Sequence, residues 1–113
     1  MTNEELQALC ETWQKRLGLA DWTVRARFAR QYEMDRSDIT GQCRWVLSKR
    51  EAVINILVEE DYPPSLVEPY NLERTLVHEL IHLHFAPFWA DQDSLEQILQ
   101  EQAIDALAKA LVP

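Results

Sequence analysis

The chain has 113 residues, 47% of them apolar, which is enough for one modest core and so for a single domain over residues 1–113. Its net charge of −8 argues against nucleic acid as a partner, because that affinity rests largely on Lys and Arg replacing counterions. Two cysteines, Cys10 and Cys43, are too few for a disulfide framework, no apolar run reaches membrane-spanning length, and no stretch reads as a signal peptide. The expected setting is therefore reducing and cytoplasmic, away from membranes.

Thr2 and Glu5 form a capping-box pattern ahead of Leu6, Leu9, Trp13 and Leu17 at helical spacing, with Gly18 where a C-terminal cap belongs. From Trp22 the period changes to two. Trp22, Val24, Ala26 and Phe28 face one way, and Thr23, Arg25 and Arg27 the other, as in a half-buried strand. Residues 33–41 are polar and read as a connection. Gln42 to Leu47 gives a second strand and Ala52 to Val58 a third, the most apolar and so the deepest. Connections too short for helical crossovers predict a small, mostly antiparallel three-stranded sheet. On such strands Arg25, Arg27, Arg30, Arg44, Lys49 and Arg50 are solvated faces and not a binding stripe.

Glu59 to Tyr70, with three prolines and four acids, is an extended connector. Asn71 is placed to cap a helix that Pro87 ends. Residues 87–93 form a turn. The last helix starts at Asp93 or Ser94 and runs to about Val112, with Ile98, Leu99, Ala103, Ile104, Leu107 and Leu111 as its apolar stripe. The fold class is α+β.

The chemistry lies in His78-Glu79-Leu80-Ile81-His82, an H-E-x-x-H pattern on the helix after Asn71. A helix turns about 100° per residue, so His78 and His82 point the same way and can offer two imidazole nitrogens to one ion. Glu79 lies on the flank of that face, where a carboxylate can take a proton from a water held by the metal. Two histidines and a glutamate on a mostly apolar helix are costly to bury without partners, and a metal supplies them.

A catalytic zinc takes three protein ligands and leaves one position open. Downstream of His82 the candidates are His84, Asp91, Asp93, Glu96, Glu101 and Asp105. His84 is about 200° around the helix from His82 and cannot join the same ion. Glu96 sits in the first turn of the last helix, where a carboxylate has an ordinary use against the helix dipole. Glu101, between Ile98 and Ile104, stands on or beside the apolar stripe, where that explanation fails. Glu101 is the first choice and Glu96 the second.

This H-E-x-x-H with a glutamate on the following helix resembles the gluzincin group of zinc metallopeptidases. It is most similar to small phage- and bacterium-encoded members, and more distantly to the ImmA/IrrE and SprT-like families. The order of helix, three strands, motif helix and glutamate helix covers nearly the whole chain, and residues 75–84 and 98–108 carry the specific signal. The resemblance implies a zincin-like fold, with His78, His82 and Glu101 as Zn2+ ligands and Glu79 as general base. It implies a hydrolase cutting peptide bonds in a protein or peptide substrate, whose extended backbone could pair with an exposed sheet edge. Larger gluzincins steady the oxyanion with a Tyr or His from a separate segment. No motif marks its counterpart here, and Tyr62, Tyr70 and His84 are the candidates. The competing expectations are a catalytically inactive zincin-fold protein that binds zinc or a partner, and a domain with no metal.

Overall fold

The computed structural model describes residues 1–113. Helix α1 (Asn3–Arg16) opens on the expected capping box: Thr2 accepts from the Glu5 amide, and Glu5 accepts from the Thr2 amide. It closes on Gly18, at φ +71°, with Leu19 N–H donating to Gln14 and Gly18 N–H to Lys15. That paired closure uses the left-handed conformation that glycine adopts without a Cβ penalty.

Three strands follow: β1 (Thr23–Ala29), β2 (Gly41–Val46) and β3 (Glu51–Leu57). The sheet order is β1-β3-β2, with β3 antiparallel to β2 and parallel to β1. The expected mostly antiparallel sheet is thus corrected to a mixed one. Short connections force antiparallel pairing only on strands adjacent in both chain and sheet. β2 and β3 meet that condition, through a tight turn with Arg50 at φ 51°. β1 and β2 also run in opposite directions, but residues 30–40 carry the chain across a strand's width and leave the slot that β3 fills. As its composition predicted, β3 is the deepest strand: Ile54, Ile56 and Leu57 are fully buried.

The inward face of the sheet (Val24, Ala26, Ala52, Ile54, Ile56) packs with Leu6, Cys10 and Trp13 of α1 in one apolar core. Trp13 is anchored by its indole N–H, which donates to Glu73 at 2.8 Å. Its outward face carries exposed Arg25, Arg27 and Arg44, and a smaller cluster of Ala29, Met34 and Leu57 under the 30–40 connection. α1 also closes the outer edge of β1. The Gln7 amide donates to Val24 O at 2.9 Å and accepts from Ala26 N–H at 2.8 Å, and Asn3 accepts from Phe28 N–H at 2.8 Å.

Helix α2 (Leu72–Phe85) is capped by Asn71, whose side chain accepts from Arg74 N–H at 3.0 Å. Asn71→Ala is expected to lower stability by about 1 kcal/mol, measured as a lower urea midpoint at unchanged slope. Leu76, Val77, Leu80, Ile81 and Leu83 sink into the core. Helix α3 (Leu95–Leu111) begins after Ser94, which accepts from Gln97 N–H at 3.1 Å. The stripe expected on α3 is corrected. Ile104 is buried together with Ala108, whereas Ile98, Leu99, Ala103, Leu107 and Leu111 are exposed. α3 packs chiefly on α2, so only a narrow face of it meets the core. No helix is long and apolar enough to cross a membrane.

Candidate metal centre

The apolar side chains of α2 face the core and leave His78, Glu79 and His82 on the side toward β2 and α3. His78 is half-buried, and Glu79 and His82 are 5% and 8% exposed. The two imidazole centroids stand 5.2 Å apart. One ligand atom from each of His78, Glu79 and His82 can be chosen so that all lie within 4.8 Å of one another, a group able to hold a metal ion.

Glu101 reaches the same place from α3. One of its carboxylate oxygens is 2.9 Å from His82 Nε2 and the other 3.3 Å from His78 Nε2. Glu96, five residues earlier, is exposed. Behind each ring stands another acid: Glu79 Oε1 is 3.1 Å from His82 Nδ1, and Asp105 Oδ1 is 3.7 Å from His78 Nδ1. Each imidazole therefore turns Nε2 toward Glu101 and Nδ1 toward another carboxylate. Metal-binding histidines show this pattern, in which an acid on the second nitrogen fixes the ring and its tautomer.

The donor set fits an ion. Two ligand atoms each about 2.0–2.1 Å from a tetrahedral centre stand roughly 3.3 Å apart. The separation from His78 Nε2 to Glu101 Oε2, 3.3 Å, equals that value, and that from His82 Nε2 to Glu101 Oε1, 2.9 Å, is shorter. Burial pushes the His82 imidazole down, but hydrogen bonds with Glu101 and Glu79 outweigh it and hold the ring up at about 9. Hydrogen bonds with His78 first and then His82 hold Glu101 well below the usual carboxylate range. A metal binds an imidazole only at an unprotonated nitrogen, so proton and ion compete for His82.

Several neighbours were not singled out from the sequence. Trp45 and Trp89 flank His82, with centroids 6.3 and 5.1 Å from its ring, and meet each other edge-on at 5.9 Å. Gly41 lies against α2: a Cβ there would stand 2.7 Å from Thr75 Cγ2 and 3.1 Å from Glu79 Oε2. Strand alternation carried a signal for both Trp45 and Gly41, because it puts 41, 43 and 45 on one face. Nothing local marked Trp89. Gly41→Ala is expected to cost about 1–3 kcal/mol through overpacking, and a denaturation midpoint equal to the parent's would refute that close contact. The Cys43 thiol is pushed up by burial and further by Glu79, and Cys10 is pushed up by burial to about 12, so both stay protonated.

The other candidates have separate partners. His84 is exposed on α2, with Nε2 2.6 Å from Leu17 O, and ties α2 to the end of α1. The Tyr62 and Tyr70 hydroxyls donate to the carbonyls of Glu68 and Leu57, each at 2.7 Å. No protein-family model, no curated protein and no solved structure matches the chain.

Proposed function

We propose that this protein is a minimal zincin-like zinc metallopeptidase that hydrolyses peptide bonds in a protein or peptide substrate. The observation that carries the reading is the Glu101 carboxylate, which comes from a different helix and meets Nε2 of both imidazoles of the H-E-x-x-H motif. His78, His82 and Glu101 would hold the zinc, a set of three that leaves a position free. When bound, zinc supplies a Lewis acid that polarises a carbonyl and makes a water acidic near neutral pH. Glu79 would take a proton from the attacking water and pass it to the leaving amine. Trp45 and Trp89 pack beside His82, which is 8% exposed, and help hold its ring plane. β2 packs against α2, and its outer side, which no strand pairs, offers an extended substrate backbone a row of amides and carbonyls beside the site.

The second reading is a zinc-binding protein without turnover. Glu79 favours it in one respect, since a carboxylate bonded to His82 Nδ1 serves to brace a ligand even if no proton is ever moved. Incubating zinc-loaded and chelator-stripped protein with an unfolded polypeptide of mixed sequence separates the two. New peptide termini that need zinc support the peptidase. Intact substrate at stoichiometric zinc-loaded protein overturns it.

A further inference from the structure

Helix α3 has a face that nothing in the chain covers. Leu95, Leu99, Gln102, Ala103, Ala106 and Ala110 recur at helical spacing opposite the buried Ile104 and Ala108, and all six are exposed. Leu95 and Leu99 are 65% and 54% exposed, and Ile98 and Leu107 on the flanks 50% and 47%. No charged residue lies on that face, in a chain of net charge −8. Exposed apolar patches of this kind, rimmed by polar side chains (here Glu96, Asp105 and Lys109), mark interaction sites.

We infer that α3 is a self-association surface, and that two copies of this chain pair through it with their α3 helices antiparallel. The distribution of side-chain size argues for a second copy. The first half of the face is bulky (Leu95, Leu99) and the second half small (Ala103, Ala106, Ala110). A two-fold between Gln102 and Ala103 sets Leu95 over Ala110 and Leu99 over Ala106 of the other copy, twice over. Large residues then fill the hollows left by small ones, and small residues let the backbones approach closely. A parallel arrangement would stack leucine on leucine and leave a gap at the alanines. Two strongly acidic chains also meet with least repulsion on an uncharged face. The helix is about 25 Å long and roughly 10 Å across, so α3 alone covers less than a standard specific interface and the dimer is weak and concentration-dependent. Glu101 lies on the other side of α3, and the candidate metal centre stays open.

Sedimentation velocity of the full chain, from micromolar to millimolar concentration, tests this. The expected mass rises from 13.2 kDa toward twice that value. Leu99→Glu, on the solvent side of the monomer, is expected to stay monomeric throughout. Adding Ala106→Lys to it places a lysine opposite each glutamate in the antiparallel register and is expected to restore the dimer. A parent chain monomeric at millimolar concentration overturns the inference and leaves the face to a different protein. A dimer that survives Leu99→Glu, or a double variant that stays monomeric while folded by circular dichroism, overturns the surface or the register.

Discussion

Glu79→Gln is expected to lower zinc-dependent peptide cleavage by about 10²–10⁴-fold, the usual contribution of a positioned general base, while zinc content stays the same. The substitution is chosen for what it keeps. A glutamine is the same size, so the close approach to Gly41 is undisturbed. Its amide oxygen still accepts from His82 Nδ1, so the brace behind that ring survives. Only the capacity to take up a proton is lost. Cleavage at the parent rate in a zinc-replete Glu79→Gln protein would place the proton acceptor elsewhere and remove Glu79 from the chemistry. Loss of zinc together with activity would show that Glu79 acts through the fold of the centre.

The second large effect belongs to His78→Ala. A ligand present at a thousand times its dissociation constant stabilises the state that binds it by about 4 kcal/mol. For a domain of this size that corresponds to a melting shift of roughly 10–20 °C on adding zinc. His78→Ala removes one of the two imidazoles and is expected to abolish the shift, and in chelator the variant and the parent should melt close together. The effect should be largest on α3, where Ile104 and Ala108 alone are buried and an ion shared by Glu101 and α2 would be the main clamp. Hydrogen exchange along residues 95–111 reads this directly. A full zinc shift in His78→Ala would mean that the ion sits on a different donor set.

Short-range chemistry was legible in the chain and long-range geometry was not. The Thr2 capping box, the Asn71 cap, the Gly18 closure and the burial of Ile54 and Ile56 follow from residues within a few positions of one another. The convergence of Glu101 on His78 and His82 is a long-range fact that the spacing pointed to on half a reason: of the two flanking isoleucines, Ile104 is buried and Ile98 is exposed. Strand order escaped, since alternation in β1 is the same whether its neighbour is β2 or β3. The α3 stripe misled for a related reason. Apolar spacing reports that a face seeks cover, and does not say that the cover is in the same chain. Trp89 reaches His82 only through the path of the turn after α2, which no local pattern sets.

The amides of Asn3 and Gln7 do along β1 what a fourth strand would otherwise do. Growth of this sheet by accretion of further copies is therefore one-sided: a newcomer can dock beside β2, but on the far flank it must first evict a helix. Edge-to-edge joining of β2 with β2 uses up the single vacant border in both molecules and terminates there. Fibril elongation needs two borders per molecule, and this architecture has one.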